Sequence, residues 1–149
     1  FGRMEKFHLK NKSVNIILVK NPAGFSQVIS YLSRRKMPYS VAFCLNDNAA
    51  DGRDVSWIWD VDYKPIFDNF NKIENIYTCG KRCFDMALAL EYSSKMSDFV
   101  KVIENSDYKK LLVYAENSKE DFFIVPSYTS MMELRPVFAE KFGGKEFWK

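Results

Sequence analysis

Val14-Asn15-Ile16-Ile17-Leu18-Val19-Lys20-Asn21-Pro22-Ala23-Gly24 is the stretch on which the fold turns. Its first six residues are an apolar, β-branched run of the kind that forms a strand buried on both faces. Lys20 and Asn21 end the run, and Pro22, whose fixed φ suits the first position of a helix, begins a different element. Phe25, Val28, Ile29 and Leu32 follow at helical spacing. A strand feeding a helix through a short turn is the repeating unit of an α/β sheet.

The unit recurs downstream. Tyr39–Leu45 reads as a second strand ending in a polar loop. Val55–Val61 reads as strand-like, with Trp57 and Trp59 on one face for packing, and Tyr63–Phe70 as a short helix. Ile73–Cys79 is a strand and Gly80 a turn; Phe84, Met86, Ala87, Leu88, Leu90 and Tyr92 then populate a helix. Phe99–Ile103 is a strand, and Tyr108, Leu111, Leu112 and Ala115 mark the helix after it. Phe122–Val125 is the last strand, and Ser127 or Thr129 caps a final helix through Leu134, Val137 and Phe138. This alternation predicts an α/β fold: a three-layer, Rossmann-like, open and mostly parallel sheet with helices on both faces. Ligands collect at the carboxyl ends of such strands, so the loops Lys20–Gly24, Asn46–Asp54 and Thr78–Arg82 are expected to be neighbours.

The chain has 149 residues, 47% hydrophobic and 28% charged, the profile of a folded domain. At that length folding buries roughly 68–70% of the unfolded surface, enough for a core without covalent staples. The net charge is only +3, and the dense basic runs Arg34-Arg35-Lys36 and Lys109-Lys110 read as solvated faces, not nucleic-acid contacts. Cys44, Cys79 and Cys83 are odd in number and lack CxxC spacing, which favours reduced thiols in a cytosolic protein. No apolar run approaches the ~18 residues of a membrane span, and no signal-peptide pattern is present. The chain starts at Phe1 instead of methionine, so residues 1–149 are expected to form a single domain of a longer protein.

Chemistry-bearing side chains concentrate in Asn46–Asp62, where five aspartates fall: Asp47, Asp51, Asp54, Asp60 and Asp62. Three uses are open. Asp47, Asp51 and Asp54 are suited to hold Mg²⁺ through oxygen ligands. One carboxylate can orient a histidine in a nucleophilic triad. The aspartates can also cap turns and pair with Arg53. The single histidine, His8, lies in Lys6-Phe7-His8-Leu9 and reads as a surface strand residue. A self-contained triad is therefore poorly supported, and an aspartate that orients a histidine must borrow it from another chain. Asn21-Pro22-Ala23-Gly24 lacks Walker or GxGxxG spacing, which leaves no evident nucleotide cradle. Gly80-Lys81-Arg82 is either an anion site at the following helix N-terminus or a solvated turn. Asn21, Gly24 and Arg82 are the candidate residues at the substrate edge.

Phe1-Gly2-Arg3-Met4-Glu5 resembles the Gly-Arg-Met-Glu lead-in to the third domain of Mur ligases. Lys20-Asn21-Pro22-Ala23-Gly24, Leu45-Asn46-Asp47, Ala50-Asp51-Gly52-Arg53-Asp54 through Asp60, and Pro126-Ser127-Tyr128-Thr129-Ser130 together resemble the C-terminal domain of MurT. The resemblance covers nearly the whole chain. It implies the fold of Mur-ligase C-terminal domains and a ligase subunit paired with GatD, a class I glutamine amidotransferase subunit. Together the two convert the D-glutamate of the lipid II stem peptide to D-isoglutamine, in the cytoplasm at the inner membrane face. ATP and Mg²⁺ are then expected in an upstream central domain, with no cofactor or metal in this one. In that family GatD hydrolyses glutamine with its own cysteine and histidine, and the MurT C-terminal domain contributes an aspartate. Matched onto this sequence, that residue is Asp54, with Asn46, Asp47, Asp51, Gly52, Arg53 and Asp60 supporting its loop. Ser26 stands where the family commonly has asparagine, and Ala89 where arginine is frequent, so substrate contacts at those positions do not carry over.

Three readings compete with this one. They are a conventional Mur-ligase third domain closing over nucleotide and amino-acid substrate without a glutaminase partner, a Mg²⁺-dependent phosphoryl-transfer domain, and an interaction module.

Overall fold

The computed structural model describes residues 4–96 and 98–143; Phe1, Gly2 and Arg3 of the lead-in motif lie outside them. The elements run β1 (Met4–His8), β2 (Ser13–Ile17), α1 (Pro22–Ser33), β3 (Tyr39–Cys44), α2 (Lys64–Asp68) and β4 (Ile73–Cys79). They continue with α3 (Cys83–Ser94), β5 (Val100–Val102), α4 (Tyr108–Asn117), β6 (Asp121–Pro126) and α5 (Tyr128–Phe142). The strands form one sheet in the order β1-β2-β6-β3-β4-β5. β1 pairs antiparallel with β2, and every other pairing is parallel.

Parallel neighbours require crossovers, and the near-uniform right-handedness of crossovers decides where the helices go. The steps β2 to β3, β3 to β4 and β4 to β5 run one way across the sheet, whereas β5 to β6 runs back. The core divides accordingly. Phe25, Val28, Ile29 and Leu32 of α1, Ile66 of α2 and Met86 and Leu90 of α3 pack on one face. Leu111 and Ala115 of α4 and Leu134 and Phe138 of α5 pack on the other. The strands serve both layers by alternation: Val41, Phe43, Phe123 and Val125 join the first cluster, Ala42, Cys44, Phe122 and Ile124 the second. The three-layer arrangement read from the sequence is the one present.

Local chemistry starts α1 where the sequence placed it. Asn21 is its N-cap, accepting the Gly24 N–H at 2.8 Å, and Pro22 occupies the first turn. Its buried residues are Phe25, Val28, Ile29 and Leu32, each contributing roughly 1.5–3 kcal/mol of transfer free energy. Cys44 and Cys79 are register partners on β3 and β4, and all three cysteines are free and buried. Burial, reinforced by the bond to Cys79, pushes the Cys44 thiol well above its ordinary pKa, as for an unreactive reduced thiol. Among the described residues no helix is long and apolar enough to cross a membrane.

One expected strand is absent. Val55–Val61 is not a strand; Ser56–Asp60 forms a 3₁₀ helix. Val55, Ile58 and Val61 are the buried residues, a three-residue period that matches three residues per turn and not the two-residue alternation of a strand. The tryptophans consequently part. Trp57 packs edge-on against Phe25 with ring centroids 6.0 Å apart, while Trp59 stays 46% exposed.

Candidate functional site

The strands β2, β6, β3 and β4 all end at one edge, and there the chain leaves in opposite directions. α1 follows β2 onto one face and α5 follows β6 onto the other, which opens a crevice at the switch point. A cavity of about 430 Å³ occupies it, lined by Val19, Lys20, Asn46, Asp51, Trp57 and Tyr128 among others. Two of the three loops expected to meet there, those after β2 and β3, line it together. The loop after β4 is tied to the β3 loop by hydrogen bonds. A fourth loop, Ser127–Thr129, stands among them because β6 lies between β2 and β3.

Asn46 joins these loops. It is fully buried, and its amide Nδ2 donates to Thr129 Oγ1 at 3.0 Å and to Glu133 Oε1 at 3.1 Å. Its Oδ1 accepts the Lys81 N–H at 2.8 Å, and its own N–H donates to Ser127 Oγ at 2.9 Å. Glu133 also accepts from the Tyr108 hydroxyl at 2.9 Å; burial raises the Tyr108 pKa, so the phenol stays a donor. Gly80 makes the approach of the two loops possible. Its φ is +92°, and a Cβ there would lie 2.5 Å from the Leu45 carbonyl oxygen.

The supporting aspartates have separate partners. Asp47 pairs with Arg82 at 3.0 Å, and Arg82 also reaches Asp85 at 2.6 Å. These two carboxylates raise the Arg82 pKa, and Arg82 in turn lowers that of Asp85. The Gly80-Lys81-Arg82 segment is thus engaged from within: Lys81 Nζ donates to Asn48 Oδ1 at 2.7 Å. Asp51 Oδ2 accepts the Asn48 N–H at 3.0 Å and the Thr129 hydroxyl, and its Oδ1 accepts the Thr129 N–H at 2.7 Å. Ser127 is the N-cap of α5 by position but makes no side-chain cap bond; its hydroxyl serves Asn46, and Asp51 reaches across from the β3 loop to take an N–H of the first turn. Arg53 lies exposed, and no salt bridge ties it to the loop's aspartates among the described residues. Gly52, at φ +82°, turns the chain between Asp51 and Arg53.

Asp54 differs from all of these. It is exposed, and it rims a separate hollow of about 280 Å³ with Arg53, Ser56, Trp59, Arg82 and Asp85. Its Oδ1 accepts the Ser56 N–H at 2.9 Å. The Ser56 backbone and hydroxyl together hold its carboxyl below the ordinary aspartate pKa, so it is ionised at neutral pH. His8 pairs in register with Ser13 at the start of β2, which places it at the amino edge of the sheet. Asp54, in the loop after β3, is at the carboxyl edge. The only histidine of the chain is therefore on the wrong edge to meet it.

Asp47, Asp51 and Asp54, the trio suited by sequence to Mg²⁺, do not share a ligand set. Among the described residues no group of three His, Cys, Asp or Glu side chains is placed to hold a metal ion. Asp60 is exposed at the end of the 3₁₀ turn. Asn21 and Gly24 are joined in the α1 cap, and the neighbouring Lys20 is the residue that reaches the switch-point cavity. Ala89 is only 1% exposed, in the core behind α3. Thr129, Ser130, Glu133 and Tyr108 were not singled out as site residues. The signal for Thr129 lay in its place after a strand, two residues into a capped helix.

Fold and site together define a three-layer α/β domain with a switch-point cavity and, apart from it, an exposed carboxylate on the opposite sheet edge from the chain's one histidine. The model of the family described as MurT ligase C-terminal matches residues 18–131, and the chain belongs to that family. A protein of Streptococcus pneumoniae named lipid II isoglutaminyl synthase (glutamine-hydrolyzing) subunit MurT is 35% identical over 142 residues, 95% of this chain and 31% of its own length. Proteins of the same name from Staphylococcus aureus strains COL and N315 are 32% identical over 143 residues, 96% of this chain and 32% of theirs. The chain spans about a third of the length of these curated relatives.

Proposed function

We propose that the chain is the C-terminal domain of the ligase subunit of a lipid II isoglutaminyl synthase, and that Asp54 is the carboxylate it supplies to a glutaminase site completed by a second protein. The observation that carries the reading is Asp54 itself: ionised, exposed, at the rim of a hollow, and on the opposite sheet edge from the chain's one histidine. The partner is a GatD-type class I glutamine amidotransferase subunit with its own cysteine and histidine. Asp54 accepts a hydrogen bond from the distal ring N–H of that histidine, fixing its tautomer. It then stabilises the imidazolium formed when the histidine takes the cysteine's proton. The ammonia released amidates the D-glutamate of lipid II at the cytoplasmic membrane face. ATP and Mg²⁺ act in the preceding portion of the ligase, not through this chain's aspartates.

The test is Asp54→Asn in the assembled complex, with glutamine hydrolysis measured and assembly checked by size. The carboxamide keeps the shape and removes the charge, so hydrolysis is expected to fall by about 10⁴-fold, the size of the corresponding change in a serine-protease triad. Hydrolysis at the normal rate by an intact complex would overturn the assignment. A second reading, a conventional Mur-ligase closing domain, draws on the cavity beside Lys20. It predicts that Lys20→Ala raises the KM for nucleotide or acceptor with no glutaminase partner required.

A further inference from the structure

Two carboxylates rim the hollow at Asp54, and only one of them is paired. Asp54 and Asp85 both line it, together with Arg53 and Arg82. Arg82 donates from Nε to Asp85 Oδ2 at 2.6 Å and from Nη1 to Asp47 Oδ2 at 3.0 Å. Asp54 accepts the Ser56 N–H and makes no ion pair among the described residues. A guanidinium and an unpaired carboxylate thus share one hollow without meeting.

What keeps them apart is built into the start of α3. The Arg82 N–H donates to the Leu45 carbonyl at 2.9 Å, and the Arg82 carbonyl accepts the Met86 N–H at 3.0 Å. The backbone is therefore held, and only the side chain, 38% exposed, is free to turn. A guanidinium is a rigid planar fork, so committing Nε to Asp85 and Nη1 to Asp47 sets its plane. Arg82 stands in the wall between two hollows: Asp47 lines the one beside Glu104, and Asp85 lines the one that Asp54 rims. With Asp85 gone, the carboxylate left on that side of Arg82 is Asp54. An exposed arginine–carboxylate pair stabilises a fold little, yet it occupies the carboxylate for most of the time. A carboxylate held in such a charge-assisted pair has less to offer a histidine N–H.

We infer that Asp85 is a positioning residue for Asp54: by occupying the Arg82 guanidinium, it keeps the Asp54 carboxylate open toward the hollow. The consequence for glutamine hydrolysis rests on the reading of Asp54 as a glutaminase carboxylate. The restraint on Arg82 does not, because it concerns only side chains of this chain. Arg53 also lines the hollow, is exposed and makes no salt bridge among the described residues. It already has access to Asp54 and does not take it, so Arg82 is the cation that Asp85 holds back.

The test has two readouts. Glutamine hydrolysis is measured in the full ligase chain assembled with its glutamine-hydrolysing subunit. The Asp54 carboxyl is titrated by carbon NMR in the full ligase chain alone, its signal assigned with Asp54→Asn. Asp85→Ala is expected to lower kcat about fivefold, the most that an exposed ion pair commonly provides, with the KM for glutamine unchanged. Asp54 in that variant titrates lower than in the native chain, because a neighbouring guanidinium favours the charged form. Adding Arg82→Gln to Asp85→Ala removes the competing cation, and both readouts move back toward native. Adding Arg53→Gln to Asp85→Ala does not relieve the loss. Asp85→Glu retains a carboxylate on the same turn and recovers the pair, and hydrolysis with it. A loss in Asp85→Ala that Arg82→Gln fails to relieve makes Asp85 a structural residue of α3 and overturns the inference. An Asp54 titration that does not move in Asp85→Ala overturns it as well, whatever Asp54 does. If Asp54→Asn hydrolyses glutamine at the normal rate, the triad reading fails, and the titration alone decides whether Asp85 keeps Arg82 off Asp54.

Discussion

The acidic loop after β3 divides into two halves that use the same residue types in opposite ways. In the first half Asn46, Asp47 and Asp51 are turned inward, hydrogen-bonded to the β4 loop and to α5. In the second half Asp54 and Asp60 face solvent, and Asp54 holds only the neighbouring Ser56. The contrast separates a brace from a working edge. The first-half carboxylates have their partners inside the chain, whereas Asp54 keeps a solvent-facing surface, as the role proposed for it requires. If that division is right, substitutions in the first half cost stability, and those in the second half cost function alone.

The largest stability effect is expected at Gly80, where the two loops come closest. Gly80→Ala forces a Cβ to 2.5 Å from the Leu45 carbonyl at a φ that side chains rarely adopt. Relief requires the loops to part, at a cost of about 4 kcal/mol, read by urea unfolding. An unchanged midpoint would mean that the braced half is not braced. Next is Asn46→Ala, which removes two donated bonds and strands the Lys81 N–H. Roughly 2–3 kcal/mol is expected. Asp51→Ala removes the cross-loop cap of α5 and should cost about 1–2 kcal/mol, in the range of lost N-caps.

The sheet legible in the sequence was the part written in local periodicity. β3, β4 and α1 follow runs of apolar residues that mean the same thing in any context, and Gly80 and Asn21 announce their turns. The strand order is not local. Nothing between residues 121 and 129 says that β6 inserts between β2 and β3, and that insertion is what brings Thr129 and Glu133 onto Asn46. The brace was therefore invisible, although its hub, Asn46, was in view. Arg53 was the natural partner for the loop's aspartates by proximity, but Arg82 is the one the β3–β4 pairing delivers. Val55–Val61 failed for a different reason: two tryptophans around an isoleucine fit a two-residue period, and only the burial of Val55, Ile58 and Val61 reveals a period of three.

Away from the loop, the Arg35–Asp121 pair offers a smaller test with a defined pH window. Burial alone would raise the Asp121 pKa, but the Ser13 N–H and the Arg35 guanidinium at 2.8 Å outweigh it and leave the pKa lowered. A carboxylate depressed in the folded state contributes stability that is complete above its unfolded value of about 3.9, and that is lost as pH falls through the folded value. The gap between the native chain and Asp121→Asn should thus hold steady from pH 7 to about pH 5 and close below it. A gap that widened toward acid would reverse the sign of the shift.

The smallest effect is the most pointed. Asp60→Asn removes one exposed charge at the end of the same 3₁₀ turn whose start is held by Asp54. Both substitutions lower the loop's negative charge by one, so a general electrostatic role would make them alike. A specific carboxylate at Asp54 makes them unlike: Asp60→Asn should leave unfolding, partner affinity and glutamine hydrolysis all within about twofold of the native values, as a solvated surface charge does. Equal losses from the two would collapse the distinction between a placed carboxylate and a merely acidic rim. A loss confined to Asp54 would tie function to one residue of the open half.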